Sequence, residues 1–368
     1  MHSPFLKFIL APLSFLYGIV TGFRNFLFDI QLLPSKEFSI PVICVGNISV
    51  GGTGKTPHVE YLIELLKTDS KIALLSRGYK RTTSGFQIAT LDSTVFDVGD
   101  EPRQLKQKYP EITVAVDGNR KRGISKLLEI EKNLDLIIMD DGFQHRWVKP
   151  GFTILLVDFN KMITDDYFLP GGRLRESVSG SKRAQLMVIT KCPDSLKPIE
   201  RRIAIKDLNP IPGQNIYFTY FTYGNFMPVF PDSASKITSP EINKLQPGFL
   251  LVTGIAYPRM LKKYLLGFTD NIIELKYPDH YSFRQADIND ICNQFRSMQG
   301  NTNFIVTTEK DAMRLQFFPQ IEAEIKARLY YIPVQVKFLD EEESQFNKQI
   351  QAYVGNSKRN RILVKKQA

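Results

Sequence analysis

Cysteine is scarce in this chain of 368 residues: Cys44, Cys192 and Cys292 are odd in number, far apart and set in apolar segments. That excludes a disulfide framework and a cysteine-based zinc site, and it points to a reducing compartment. Histidine is nearly as sparse, with four residues, so each can be weighed on its own. The chain carries no internal repeat, no low-complexity tract, and no groove-reading helix, aromatic RNA-binding motif or zinc spacing that would mark a nucleic-acid reader. Acidic residues are outnumbered, 38 against 48 basic, for a formal net charge of +10. An anionic partner is expected from that balance, whether nucleotide, phosphorylated substrate, nucleic acid or anionic lipid, and charge alone does not choose among them. The basic stretch 358–366 reads as a solvated terminus.

Long uncharged runs are also missing. Segment 5–28 is apolar and aromatic, yet only 16 uncharged residues separate Lys7 from Arg24, and Pro12, Gly18 and Gly22 interrupt them. A spanning helix needs about 20 such residues, and no small-residue cleavage site marks a signal peptide. Residues 1–28 therefore read as a membrane-associated helix lying in the interface, with a core helix packed on the domain as the alternative.

With 43% hydrophobic and 23% charged residues the chain reads as globular. Its length exceeds the roughly 250 to 300 residues of a single core, so two domains are expected. Short, nearly continuous apolar runs at 42–45, 72–75, 113–116, 135–139, 153–157 and 186–189 alternate with helical patterns. Strands buried on both faces of a parallel sheet read this way, and functional residues then gather at their carboxyl ends. A proline-glycine break at 209–214 precedes the aromatic run 216–223, a place for a ribbon hinge, and a second α/β unit follows. The expected division is a membrane helix at 1–28, a phosphate-loop domain at 29–214, a smaller α/β domain at 215–335, and a C-terminal helix and basic tail at 336–368.

The chain is organised around residues 41–56, PVICVGNISVGGTGKT. An apolar strand breaks into a glycine-rich turn ending in Gly54-Lys55-Thr56, and Val59, Leu62, Ile63 and Leu66 then recur at helical spacing. Residues Ser49, Val50, Gly51, Gly52, Thr53 and Gly54 would wrap backbone N–H groups around phosphate oxygens at the positive end of the helix. Lys55 would reach the β- and γ-phosphates of ATP, and the Thr56 hydroxyl would hold Mg²⁺. Ser49 stands where the phosphate-loop pattern has its first glycine. The alternative is a turn that only joins strand to helix.

Residues 134–141 form an apolar run ending in Asp140 and Asp141, the pattern of a carboxylate delivered to Mg²⁺ beside the phosphate loop, with helix capping as the alternative for one of them. Arg77 and Arg120 follow other strand ends, where guanidinium forks suit phosphate oxygens; each taken singly reads equally as a surface ion pair.

The motifs GGTGKTP, SRGY at 76–79, VGDEP at 98–102, DGNR at 117–120, DDGFQH at 140–145, LPGGRLRES at 169–177, TGIAYP at 253–258, PDHYSF at 278–283 and TTEKDAMR at 307–314 together resemble the tetraacyldisaccharide 4'-kinases of lipid A synthesis. The resemblance runs from the N-terminus to about residue 315 in the family's order. It implies an ATP- and Mg²⁺-dependent kinase, acting as a monomer at the cytoplasmic face of the bacterial inner membrane, whose partner is an acylated disaccharide 1-phosphate lipid. It further implies Asp100 as catalytic base with His280 as its partner, Glu176 beside Asp140 and Asp141 near the metal, and Arg77, Arg120 and Arg175 as basic active-site residues. The rival readings are a phosphate-loop ATPase switch of the partition or metallochaperone type, which carries a lysine where this chain has Val50, and a non-enzymatic anion-binding protein.

Overall fold

Strands that carry apolar side chains on both faces need cover on both, and helices supply it here. The computed structural model describes residues 4–255, 258–279, 281–300 and 302–367. Two compact units emerge: residues 1–221 with 336–368, and residues 222–335.

The larger unit opens with helix α1 (Pro4–Asp29) and then alternates β1 (Val42–Gly46), α2 (Lys55–Leu66), β2 (Ile72–Ser76), β3 (Gln87–Ile88), α3 (Val95–Val98), α4 (Asp100–Lys108), β4 (Thr113–Val116), α5 (Arg120–Ile130) and β5 (Leu136–Asp140). It continues through β6 (Phe152–Asp158), β7 (Leu186–Thr190), α6 (Pro198–Leu208) and β8 (Asn215–Tyr223). After the smaller unit the chain returns, with a strand at Val334–Phe338 and a helix at Glu342–Gln367. The strand order from one edge is Val334–Phe338, β8, β7, β6, β1, β5, β2, β4, β3. Pairing is parallel from β8 to β4, and only β3 is shown antiparallel to its neighbour. β1 therefore lies between β5 and β6, and its carboxyl end faces the ends of both. Every residue of β1, β2, β5, β6 and β7 is buried. At roughly 1.5–3 kcal/mol for each large apolar side chain, these strands anchor the site's framework.

The aromatic run belongs to this sheet. Tyr217 packs edge-on against Phe346 of the C-terminal helix, and Tyr61 of α2 donates to Asn347 at 2.8 Å. The last helix thus covers the same face of the sheet as α2, with Phe346, Ile350 and Val354 in one core with Val59 and Ile63.

The smaller unit comprises β9 (Met227–Pro228), α7 (Ser239–Leu245), β10 (Gly248–Thr253), α8 (Arg259–Leu265), β11 (Ile272–Lys276), α9 (Gln285–Ser297), β12 (Asn303–Thr308), α10 (Glu309–Leu315), α11 (Ala323–Lys326) and β13 (Leu329–Ile332). Its sheet runs β11, β10, β12, β13, β9, parallel except for β9. Asp311, from TTEKDAMR, is fully buried, bonds the Thr308 hydroxyl at 2.7 Å, and accepts the Gly254 N–H of TGIAYP at 2.8 Å. Two motifs of the sequence are thereby one structural joint. The returning strand and helix are β14 (Val334–Phe338) and α12 (Glu342–Gln367), and β14 lies beside β8 in the large sheet. A mostly parallel phosphate-loop sheet with a second, smaller α/β unit joined through neighbouring strands is the architecture the sequence implies.

Candidate active site

The loop between β1 and α2 takes its shape from two residues in left-handed backbone, Gly51 at φ 116 and Gly54 at φ 86, where a Cβ would be strained. Ser49 needs no such freedom. It pairs as an antiparallel bridge with Leu174, and Val50 N–H donates to the Arg173 carbonyl at 2.8 Å. The first half of the loop is thus extended, which is why a serine serves at the position where the common pattern has glycine. Asn47, fully buried, donates to the Thr53 hydroxyl at 2.9 Å and accepts from Lys55 at 3.5 Å. Thr190 at the end of β7 donates to the Thr53 carbonyl at 2.9 Å. Pro57 sits in the first turn of α2, where a missing N–H costs nothing.

His58 braces the same turn from behind. Its Nδ1 lies 2.8 Å from the Gly54 carbonyl, which can only accept, so Nδ1 carries the proton and Nε2 accepts from Thr219 at 3.1 Å. Burial pulls this imidazole down to about 4, so it is neutral at physiological pH. Sequence reasoning passed over His58, Thr190 and Thr219, and carried Asn47 only as part of the 41–56 stretch, without a role. Only the proximity of β7 and β8 to the loop gives them a role.

Asp140 and Asp141 end β5 beside the loop. Burial raises the Asp140 carboxyl to about 6, and the neighbouring Asp141 charge adds to the rise. Ser76, at the end of β2, donates to its Oδ2 at 3.3 Å, while Oδ1 is buried with no hydrogen-bond partner among the described residues. Asp141 stands at φ 48. Burial opposes its charge, but Lys55 at 3.6 Å and Arg175 at 3.1 Å outweigh that and hold it below the ordinary carboxylate range. The pair is split by environment, one carboxyl pushed up and the other held down.

Arg120 is 1% exposed and donates to the main-chain carbonyls of Asp117 and Asp140. Burial lowers it to about 10, against the pull of Asp140 and Asp141. Arg77 is exposed at the end of β2. His145 is lowered to about 4, first by burial and then by the charges of Arg120 and Arg77. Arg175 bonds Gln144 Oε1 at 3.3 Å as well as Asp141. Glu176 is fully buried and accepts from Gln144 at 2.9 Å, Arg183 at 2.8 Å and Asn25 at 3.1 Å. Gln144 also donates to the Asn47 carbonyl at 2.7 Å, joining DDGFQH, LPGGRLRES and the phosphate loop in one network. Gln144 was visible only as a member of DDGFQH, without a role, and Arg183 lies in no motif at all.

Asp100 is the first residue of α4 and 7% exposed. Two anchors place it. A Cβ on Gly78, φ 68, would come within 2.9 Å of the Val98 carbonyl, so the loop after β2 lies directly on the α3–α4 turn. Gln104 and Lys108 of α4 bond Glu60 of α2 at 2.8 and 2.6 Å. His280 lies outside the described residues. Thr56 is half-buried at the head of α2.

Residues 6–355 match the family described as tetraacyldisaccharide-1-P 4'-kinase. A tetraacyldisaccharide 4'-kinase from Bacteroides thetaiotaomicron is 48% identical over 358 residues, covering 95% of this chain and 94% of that one. One from Flavobacterium johnsoniae is 42% identical over 349 residues, covering 95% and 97%. The crystal structure of LpxK from Aquifex aeolicus in complex with ATP superposes with a TM-score of 0.74 at 28% identity, over 95% of this chain and 99% of that one. Phosphate loop, split carboxylate pair and motif order thus coincide with similarity along nearly the whole length, and the chain belongs to the tetraacyldisaccharide-1-P 4'-kinase family.

Proposed function

We propose that this chain transfers the γ-phosphoryl group of ATP to the 4'-hydroxyl of an acylated glucosamine disaccharide 1-phosphate in lipid A synthesis, in keeping with the 4'-kinase reaction that the family's description names. The observation that carries the reading is the cluster Lys55, Asp141, Arg175 and Gln144 beside a glycine-rich loop at the head of α2. The acceptor hydroxyl, whose pKa lies far above 7, gives its proton to Asp100 as its oxygen bonds the γ-phosphorus. The bond from that phosphorus to the β–γ bridging oxygen breaks, and ADP leaves. Lys55 offsets charge on the transferring group, and the phosphate-loop N–H groups hold the β-phosphate. His280 is assigned as the partner of Asp100, and Arg77 as the exposed cation facing anionic substrate.

Among the described residues no three His, Cys, Asp or Glu side chains form a cage for a metal. Magnesium at a phosphate loop does not require one, because one or two carboxylates and the substrate's own phosphates suffice. Thr56, Asp140 and Asp141 would hold it, and the unpartnered Asp140 Oδ1 fits that role. Bound there, Mg²⁺ would supply positive charge that offsets the charge of the transferring phosphoryl group. Glu176 acts one layer behind, through Gln144.

Helix α1 is assigned to the interface at the cytoplasmic face of the inner membrane. Phe8, Phe15, Leu16, Val20 and Phe23 are all more than half exposed on it. By length and composition residues 8–29 also suffice to cross a bilayer. The bonds of Ser14, Tyr17 and Asn25 to the kinase unit favour the interfacial placement, since they keep one side of the helix on protein. Incubation of purified enzyme with γ-labelled ATP, Mg²⁺ and acylated disaccharide 1-phosphate tests the function: label enters the lipid, and ATP hydrolysis without labelled lipid would favour the ATPase-switch reading.

A further inference from the structure

The protein-facing side of α1 carries, beside Tyr17 and Phe28 in aromatic contacts, polar groups that reach the catalytic cluster. Ser14 accepts the Gly171 N–H at 2.9 Å, Tyr17 donates to the Arg175 carbonyl at 3.0 Å, and Asn25 Nδ2 donates to Glu176 Oε2 at 3.1 Å. Arg146 donates to the Asn25 carbonyl at 2.8 Å and pairs with Asp29 at 2.6 Å, which fixes the end of the helix. The contacts of Ser14, Tyr17 and Asn25 fall on segment 171–176, whose Arg175 and Glu176 side chains reach Asp141 and Gln144. Glu176 holds Gln144, Gln144 holds the Asn47 carbonyl and meets Arg175, and Arg175 and Lys55 share Asp141. No link from Asn25 to Lys55 exceeds 3.6 Å.

We propose that Asn25 is a positioning residue for phosphoryl transfer: from the interfacial helix it fixes the Glu176 carboxylate, and through Gln144 and Arg175 it holds Asp141 and the phosphate loop in place. The proposal rests on the function assigned above. Glu176 Oε2 is shared between Asn25 and Arg183, and Oε1 is taken by Gln144. Without the Asn25 amide the buried carboxylate is free to turn toward Arg183 alone, and Gln144 loses its backing. An enzyme whose substrate stays in the bilayer would then have its best-ordered active site when α1 is seated at the lipid surface, because the same helix carries both the lipid contact and the brace.

The test uses full-length enzyme with substrate dispersed in nonionic detergent micelles, so that membrane capture does not limit the rate. Asn25→Ala should lower kcat several-fold at every pH, with KM for ATP near normal. Asn25→Asp sets a second carboxylate against Glu176. It should lose roughly tenfold or more at about pH 8.5 and recover toward about pH 6.5, where two facing carboxyls share a proton. Both variants should bind phosphatidylethanolamine–phosphatidylglycerol vesicles as the wild type does, and amides in 166–176 should exchange faster in Asn25→Ala. Wild-type kcat, pH profile and exchange in both variants would overturn the proposal, as would a loss confined to vesicle binding. Should the wild-type enzyme label no lipid, the assigned function fails, and the exchange of 166–176 still decides whether Asn25 seats the segment.

Discussion

Arg77 and Arg120 follow strand ends in the same rim, and the structure gives them opposite duties that one pair of substitutions separates. Arg120 is buried beneath the carboxylate pair, and its guanidinium bonds two main-chain carbonyls. Although burial pulls it to about 10, it stays cationic at neutral pH and offsets Asp140 and Asp141. Arg120→Met keeps the apolar stem, removes the charge, and leaves the carbonyls of Asp117 and Asp140 without that donor. Each buried polar group left unmade costs about 1–3 kcal/mol, and stripping one partner from a buried charge cluster costs about 3–5 kcal/mol in all. At roughly 2–4 °C per kcal/mol for a unit of this size, the midpoint should fall by about 10 °C. Arg77→Met, at an exposed position, should stay within about 0.5 kcal/mol of the wild type while kcat/KM falls. The single tryptophan, Trp147, lies in the larger unit against Phe28, so thermal unfolding followed by its fluorescence reports on that unit. An Arg120→Met enzyme with an unchanged midpoint and a raised KM for either substrate would refute the reasoning, because Arg120 would then be reaching ligand instead of bracing the strand ends.

Lys55→Ala and Thr56→Ala should each abolish label transfer while circular dichroism and the unfolding midpoint stay near wild type; turnover within about tenfold of normal would remove the loop from the mechanism. Asp100→Asn and His280→Ala should each lower kcat by on the order of 10² with ATP affinity unchanged, and as one unit their double variant should lose far less than the product of the two. Multiplicative losses would show that the two do not work together. Asp140→Asn should abolish Mg²⁺-dependent activity yet stabilise the metal-free protein. The folded-state pKa of about 6 lies above the ordinary aspartate value of 3.8, so the charged carboxylate costs the fold on the order of 3 kcal/mol above about pH 6, a cost that fades as pH falls toward 4. Scanning calorimetry without Mg²⁺ at about pH 8 and about pH 4 checks this, and an equal gain at both, or none at either, would contradict it.

The phosphate loop, the carboxylates ending β5 and the two-unit α/β plan were legible because their signals are local. A strand-turn-helix needs an apolar run, glycines where backbone turns left-handed, and a helical stripe, all within residues 42–66. Ser49 is the instructive departure. Its tolerance depends on the bridge to Leu174, over a hundred residues away, which no local pattern encodes. The arginines show the same limit, since a guanidinium after a strand end reads alike whether it is exposed like Arg77 or buried like Arg120.

What the sequence determined by itself was therefore the identity of the elements and the chemistry at their ends, because hydrophobic period, glycine placement and charge act between near neighbours. The tertiary structure alone decided which ends meet. With β1 seated between β5 and β6, segment 173–176 crosses the phosphate loop, His58 finds Thr219, and Asn25 finds Glu176. Those pairings join residues 151 and 161 positions apart, and only the closing of the whole core brings such partners within hydrogen-bond reach.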